Sequence, residues 1–139
     1  MIILDSNVIS EIMQPEPSEA VVTWLNRQPA GSVWTTAITI FEIENGLQLL
    51  PVGKRRKRLE KALLGMIEDD LGGRILPFDT PAAMAAGAIA AALQSQGKSA
   101  EIRDVQIAGI ARVRKALVAT RNVKHFKDAC DVVNPWQDV

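Results

Sequence analysis

Acidic side chains of this 139-residue sequence lie where they could hold a divalent metal ion together. Asp5 directly follows the apolar run at 2–4, where a buried strand would end. Glu42 lies in the early turns of one predicted helix, and Asp104 lies near the start of another. Carboxylates that lie together raise one another's pKa and need a counter-charge. Because hard oxygen ligands select Mg²⁺ or Mn²⁺, which activate water and stabilise charge on a phosphodiester, these acids predict metal-dependent phosphoryl chemistry.

Each acid also has a purely structural interpretation. Asp5 at a strand end could only cap the next helix, and Asp104 lies where the helix dipole favours any acid. Glu42 and Glu44 are two positions apart on one predicted helix, so their side chains point about 200° apart. Only one of these two glutamates can therefore face the site, and the spacing does not say which.

Short strand-like runs alternate with longer helical segments, and this alternation predicts where the acids meet. The strand candidates are 2–4, 32–35, 75–78, 116–120 and 132–133. The helix candidates are 19–27, 38–50, 54–70, 80 to about 97 and 102–115. Such alternation implies right-handed crossovers. We therefore predict an α/β fold whose central, mostly parallel sheet of about five strands is flanked by helices.

Local signals mark the helix ends. Ser18 and Thr80 are predicted N-caps, and Pro81 suits a first helical position. Asp79 ends the third strand candidate beside the other acids, but it directly precedes Thr80 and could instead help to cap that helix. We expect the whole chain, residues 1–139, to form one domain.

Composition narrows the possible chemistry. The formal net charge is zero, there is no tyrosine, and the chain has one cysteine, Cys130, and one histidine, His125. A tyrosine nucleophile, a histidine pair on zinc and a Cys-His dyad therefore lose most of their support. We expect His125 to be a loop residue with no catalytic role. The lone cysteine and the lack of a signal peptide or membrane span predict a cytoplasmic protein.

Six segments taken together are more specific than any one acid. They read ILDSNVISE at 3–11, TIFEIENG at 39–46, LLP at 49–51, LPFD at 76–79, RDVQIA at 103–108 and ATRNVKHF at 119–126. In this order and at these intervals they resemble the PIN-domain family, specifically the VapC and FitB-like toxins of bacterial type II toxin–antitoxin pairs. The resemblance implies a PIN-like fold over nearly the whole chain.

The same resemblance implies an activity and a site. It implies an endoribonuclease that uses Mg²⁺, or Mn²⁺, to activate water for hydrolysis of RNA phosphodiester bonds. Asp5, Glu42 and Asp104 match the family's metal-binding acids, which selects Glu42 over Glu44. Asn122 stands where many members carry aspartate. We therefore expect three carboxylates rather than four at the catalytic site.

Residues next to the acids could support the site, and the resemblance also implies partners. Ser6 and Asn7 could orient Asp5 or, more simply, cap the next helix. Thr120 could hydrogen-bond Asp5 or a metal-bound water, and Arg121 could contact RNA phosphate or only be exposed. The expected partners are RNA, a cognate antitoxin of the VapB or FitA type, and DNA only through that antitoxin. We expect a homodimer or a toxin–antitoxin hetero-oligomer and no membrane contact.

Other interpretations remain open at this point. A PIN fold kept only as an interaction module, acting with its antitoxin in DNA-bound autoregulation, is the main alternative. A haloacid-dehalogenase-type phosphatase would need a second aspartate two residues after Asp5, where this chain has Asn7. The basic run at 54–58 is either a solvated helix face or a guide for RNA. Finally, we expect the three tryptophans to be packing residues: Trp24, Trp34 and Trp136.

Overall fold

A computed structural model describes residues 1–137, so the last two residues of the expected domain, 138 and 139, lie outside the described part. Five strands form one sheet: β1 (Ile2–Leu4), β2 (Val33–Thr36), β3 (Ile75–Leu76), β4 (Leu117–Ala119) and β5 (Val132–Val133). They lie in the order β3-β2-β1-β4-β5, and every neighbouring pair is parallel. The predicted α/β class is confirmed, with a sheet that is wholly parallel.

Helices connect the strands and cover both faces of the sheet. They are α1 (Ser6–Ile12), α2 (Glu19–Asn26), α3 (Ala37–Gln48), α4 (Lys54–Gly65), α5 (Thr80–Ser95), α6 (Ile102–Arg114) and α7 (Val123–Phe126). Helix α4 continues into a π-helical turn, Met66–Asp70. Gly72 and Gly73 then follow at φ angles of 55° and 75°. Glycine adopts these positive φ angles without steric cost, which lets the chain turn into β3.

Strand β1 occupies the centre of the sheet, and its connections fix the position of the site. The chain leaves β1 towards β2 on one side and later returns to β4 on the other. This reversal of strand order opens a crevice at the carboxyl ends of the strands, where open α/β sheets bind ligands. Asp5 is the first residue after β1 and therefore lies at that crevice.

The side chains of β1 alternate between two apolar clusters, one on each face of the sheet. Ile3 packs with Val118 and Phe126 in the cluster beneath α5 and α6. Ile2 and Leu4 point to the opposite cluster, which α1 to α4 cover. All three β1 side chains are buried, the most exposed being Ile2 at 9%. Asp5 thus follows a strand that is apolar on both faces.

A close helix crossing sets the position of α6, which carries Asp104. Gly109 of α6 lies so near α5 that an added Cβ atom would sit 2.6 Å from the carbonyl oxygen of Ala82. Only glycine allows the two helices this approach.

Within residues 1–137, none of the helices is both long and apolar enough to cross a membrane.

Several local predictions need correction. β2 is shifted by one residue, and β3 ends at Leu76 because Pro77 has no N–H group for the ladder. Ser18 precedes α2 but makes no side-chain cap hydrogen bond. The predicted N-cap of α5, Thr80, is instead its first residue, because Asp79 accepts a hydrogen bond from the Ala82 N–H at 3.2 Å.

Candidate functional site

Asp5 joins the start of a helix to the end of a neighbouring strand. Its Oδ1 atom accepts a hydrogen bond from the Ser6 N–H at 2.8 Å, so Asp5 is the N-cap of α1. Its Oδ2 atom accepts from the Thr120 hydroxyl at 2.7 Å and from the Asn7 side-chain amide at 3.2 Å. The side chain is only 2% exposed. Capping and placement at the crevice are therefore compatible roles of one carboxylate.

Asn7 and Thr120 hold the carboxyl ends of β1 and β4 together. The Asn7 amide also donates to the Thr120 hydroxyl oxygen at 3.1 Å, and its own carbonyl accepts from the Arg121 N–H at 3.1 Å. Thr120 Oγ1 accepts in addition from the Asn122 N–H at 3.0 Å. The expectation that Ser6 or Asn7 caps α1 is wrong, since Asp5 does so. Asn7 orients Asp5 and the segment after β4 instead.

Glu42 reaches the same region from α3, which the side chain of Thr36 caps by accepting from the Thr39 N–H. Its Oε2 atom accepts from the Ser6 hydroxyl at 3.5 Å and lies 4.0 Å from Nη1 of Arg103. Its Oε1 atom is buried and has no hydrogen-bond partner in the described part of the chain. An acceptor that is buried without a partner is energetically unfavourable unless a donor or a cation binds it.

The other candidate glutamate on α3 has a different environment. Glu44 is exposed and accepts a hydrogen bond from the Gln48 side chain at 2.7 Å, one turn further along the helix. The structure therefore places Glu44 on a solvated face, as the resemblance implied.

Asp104 lies in the first turn of α6, and its contacts show what the sequence did not reveal. Glu101 caps α6 by accepting from the Arg103 and Asp104 N–H groups. Asp104 Oδ2 lies 2.8 Å from Nδ1 of His125. His125 was expected to be a loop residue without a role, but it lies on α7 and contacts a site acid. Its position one residue before the buried Phe126 was the available signal.

The pKa shifts of the three acids show that they lie close enough for their charges to interact. Burial raises the pKa of Asp5, against the lowering effect of its hydrogen bonds from Thr120 and Ser6. Burial also raises the pKa of Glu42, and the charges of Asp5 and Asp104 raise it further. For Asp104, burial raises the pKa, the His125 hydrogen bond lowers it, and the charge of Asp5 raises it again. Burial is therefore the main cause of the raised pKa values, and repulsion between the carboxylates adds to it at Glu42 and Asp104.

The donor set fits a hydrated Mg²⁺ or Mn²⁺ ion. In residues 1–137, no three histidine, cysteine, aspartate or glutamate side chains already converge to direct ligand distances. Mg²⁺ commonly keeps several waters and takes one or two protein carboxylates, so it does not require a closed cage. The unpartnered Oε1 of Glu42 and the raised pKa values of the acids are the features that such a cation would relieve.

Other predicted residues lie at the rim of this site or outside it. Asn122 is exposed, and its side chain makes no hydrogen bond within the described residues. Arg121 is exposed and stacks on the ring of Trp136. Asp79 serves as the cap of α5 and lies 3.9 Å from Arg114, so the structural interpretation of this acid holds.

The basic run at the start of α4 is mostly solvated. Arg56 is the exception, because it binds Glu60 at 2.7 Å and also contacts Gln48. Its four neighbours in the run are exposed, namely Lys54, Arg55, Lys57 and Arg58. A contact between this run and RNA stays a prediction.

The packing predicted for the tryptophans is confirmed. Trp24 is 2% exposed in the core, while Trp34 and Trp136 are partly buried against the two apolar clusters. Trp136 has, in addition, the stack with Arg121, which sequence reasoning missed.

Comparison with known proteins gives one consistent result. The family model described as PIN domain matches residues 2–132. VapC ribonuclease Y4jK of Sinorhizobium fredii is 38% identical over 138 residues, which is 99% of each chain. Toxin FitB of Neisseria gonorrhoeae is 40% identical and covers 99% of this chain and 100% of its own. A solved structure of FitAB bound to a DNA fragment is 38% identical with a TM-score of 0.90, covering 100% of this chain and 98% of that one.

Proposed function

The chain belongs to the PIN domain family, and we propose that it is a Mg²⁺- or Mn²⁺-dependent endoribonuclease, the toxin of a type II toxin–antitoxin pair. Full-length similarity to a VapC ribonuclease and to toxin FitB supports this proposal. The observation that carries it is the cluster of Asp5, Glu42 and Asp104, whose pKa values burial raises and whose charges act on one another.

Each site residue has a proposed task. Asp5, Glu42 and Asp104 would hold the ion. An ion bound there would lower the pKa of the water that it coordinates and would stabilise the charge that develops on the phosphate. Asn7 and Thr120 fix the orientation of the Asp5 carboxylate through the hydrogen bonds that they donate to Oδ2. Fixed ligands of this kind avoid reorganisation during the reaction.

Two neighbouring side chains, Arg103 and His125, contact the acids. Arg103 Nη1 lies 4.0 Å from Glu42, and Nε of the same side chain lies 2.9 Å from Glu101. His125 lies against Asp104. The charge of Arg103 lowers the pKa of Glu42, and the hydrogen bond with His125 lowers the pKa of Asp104, in each case against the larger effect of burial.

We propose a protein partner for the same chain. FitAB, the solved complex at 38% identity, is a two-protein assembly on a DNA fragment. By analogy this chain would bind an antitoxin and reach DNA only through it, in keeping with its formal net charge of zero. Large apolar side chains that stay exposed on three helices offer surface for the antitoxin or for a second copy: Phe41, Met84 and Ile102.

A free Cys130 and an RNA substrate are consistent with action in the cytoplasm.

The decisive experiment is RNA cleavage by wild type and Asp5→Asn with Mg²⁺, with Mn²⁺ and with EDTA. Asparagine caps helices as well as aspartate does, so Asp5→Asn removes the charge and keeps the cap. Its amide nitrogen cannot accept the hydrogen bonds that Oδ2 receives from Thr120 and Asn7, so cleavage is compared per folded molecule. We expect metal-dependent cleavage by wild type and a loss of at least about a hundredfold in the variant.

Asp79→Asn is the matched control, because Asp79 also follows a strand and caps a helix but lies outside the acid cluster. It should cleave RNA like wild type. Equal cleavage by Asp5→Asn would overturn the metal-nuclease proposal. No cleavage of any RNA by wild type would favour the alternative, a PIN fold that acts only as an interaction module with its antitoxin.

A further inference from the structure

Arg121 and Trp136 form a stacked pair beside the acids. The guanidinium carbon of Arg121 lies 3.9 Å from the centroid of the Trp136 ring. A cation over an indole face at this distance is held by the ring's quadrupole. The ring packs partly against the core, and the backbone of Trp136 is held in place because its N–H donates to Asn134 Oδ1 at 3.0 Å. The stack therefore fixes a long side chain that would otherwise sample many rotamers.

The backbone of Arg121 is tied to Asp5 by two side chains. The Arg121 N–H donates to Asn7 Oδ1, and the amide group of Asn7 donates to Asp5 Oδ2. Thr120 precedes Arg121 and donates to the same Asp5 oxygen. The backbone of Arg121 is therefore held in a fixed position relative to Asp5.

An open polar cavity of about 440 Å³ lies between this pair and the start of α1. Its lining residues come from α1 and the residues just after it and from the carboxyl-terminal part of the chain: Ser6, Asn7, Ser10, Glu11, Gln14, Arg121, Asn122 and Trp136. Ser6 also hydrogen-bonds Glu42, so the cavity adjoins the acid cluster. A nucleic-acid strand that places one phosphate at the acids has room for its neighbour here.

The charge balance explains why a cation is needed at this point. The chain has no net charge, and its crevice carries three carboxylates that repel phosphate. We propose that Arg121, positioned by the face of Trp136, binds a phosphate of the RNA strand next to the one that is cleaved. This inference rests on the proposed ribonuclease function and adds a substrate-binding residue and a positioning residue to it.

The stack favours phosphate over a base as the group that Arg121 binds. The indole covers one face of the guanidinium, while the N–H groups at its edge remain able to form paired hydrogen bonds with phosphate oxygens. Trp136 contributes through its face alone, because its own indole N–H is buried. Phosphate contacts of this kind position a strand without reading its sequence.

The test measures RNA binding separately from cleavage. All variants are made in a Glu42→Gln background, which blocks the proposed reaction and leaves the hydrogen bonds of Asp5 intact. Affinity for a fluorescent single-stranded RNA is measured by anisotropy with Mg²⁺ over a series of salt concentrations. We expect Arg121→Gln to weaken binding roughly tenfold and to lower the slope of log K against log salt by about 0.7.

Positioning by Trp136 is tested with Trp136→Leu, which keeps an apolar side chain against the core. It should weaken binding about threefold, and the double variant should bind no more weakly than Arg121→Gln alone. Arg121→Lys should keep the salt slope and recover part of the affinity. Arg27→Gln is the charge-matched control, because Arg27 is exposed at the C-cap of α2, before the amino end of β2.

The outcomes separate this inference from the proposed function. Unchanged binding by Arg121→Gln, or an equal loss in Arg27→Gln, would overturn the phosphate contact. Fully additive losses from Arg121→Gln and Trp136→Leu would overturn the positioning by Trp136. Arg121-dependent binding together with no cleavage by wild type would overturn the ribonuclease function alone, whereas a complete lack of RNA binding would overturn both.

Discussion

His125 Nδ1 lies 2.8 Å from Oδ2 of Asp104, although the two residues are 21 positions apart and belong to different helices. The contact joins the one-turn helix α7 to the first turn of α6. Residues that hydrogen-bond a metal-binding carboxylate orient it, and their loss weakens metal affinity or activity. His125 is therefore the residue outside the acid cluster whose removal should be most informative.

For His125→Ala we expect metal-dependent RNA cleavage to fall roughly tenfold to a hundredfold. Because the His125 side chain is half exposed, the free energy of unfolding should change by less than about 0.5 kcal/mol. Cleavage rates are measured at increasing Mg²⁺, and an orienting role predicts that more Mg²⁺ is needed. Lys124→Ala, an exposed neighbour on α7, should match wild type. If the cleavage rate of Lys124→Ala falls as far as that of His125→Ala, the loss comes from disruption of α7 and not from the lost contact with Asp104.

Thr120→Val tests the hydroxyl that links β4 to Asp5. Valine has the same shape, but it leaves Asp5 Oδ2 without its 2.7 Å hydrogen bond. Because both side chains are buried, we expect a loss of about 1–3 kcal/mol in the free energy of unfolding, measured with urea. RNA cleavage per folded molecule should fall as well.

Thr35→Val is the control that separates these two effects. Thr35 is also fully buried, and its hydroxyl donates to a backbone acceptor, the Leu4 carbonyl, at 2.8 Å and not to an acidic side chain. It should lose similar stability while the folded fraction keeps its cleavage rate. If both variants lose activity only in proportion to unfolding, Thr120 has no orienting role.

The pH dependence of stability follows from the raised pKa values of the three acids. An acid whose pKa is higher in the folded than in the unfolded state binds a proton more readily when folded. Its destabilising effect is fully present above the raised pKa, and it is relieved as pH falls through that pKa towards the unfolded value. From these groups alone, the metal-free protein should gain stability as pH falls from neutral into the mildly acidic range.

Mg²⁺ should change this dependence, because it competes with protons for the same carboxylates. The rise in melting temperature on adding Mg²⁺ should be larger at neutral pH than at about pH 5. EDTA should reverse it. Asp5→Asn, which removes one of the proposed ligands, should show a smaller Mg²⁺ effect. An equal Mg²⁺ effect at both pH values would contradict binding by these acids.

Gly109→Ala tests the close crossing that positions α6. The added methyl group would meet the Ala82 carbonyl oxygen at 2.6 Å and the Ala86 Cβ atom at 2.8 Å. We expect the free energy of unfolding to fall by about 1–3 kcal/mol. Gly87→Ala in α5 meets nothing within 4 Å, so it should instead gain about 0.5–1 kcal/mol. Urea unfolding of both variants checks the opposite signs.

Local patterns predicted the central strand more accurately than its neighbours. β1 has the predicted bounds because an apolar run ends at a carboxylate. β3 is shorter than predicted, since Pro77 interrupts the hydrogen-bond ladder. The sequence leaves open whether Asp5 is a cap or a site residue, and its two oxygens allow both: Oδ1 caps α1, and Oδ2 is held by Thr120 and Asn7.

Contacts between distant side chains could not be predicted in the same way. The motifs placed Asp5, Glu42 and Asp104 at one sheet edge, and their mutual effects on pKa support that placement. The pairs formed by His125 with Asp104 and by Arg121 with Trp136 were missed. The first pair depends on how α7 packs against α6, and the second on how the segment after β5 packs against the cluster that α1 to α4 cover. No sequence periodicity reports such packing.

The shortness of β1 has a practical consequence for genetics. Only three residues form this strand, all of them are buried, and the next residue is Asp5. If expression of the protein arrests growth, substitutions at Ile3 or Leu4 will rescue cells by unfolding the chain, and substitutions at Asp5 will rescue them by removing the reaction. Surviving colonies would look alike in a screen for lost toxicity. Immunoblots of the soluble fraction would distinguish them, because Asp5→Asn should accumulate while core variants are degraded.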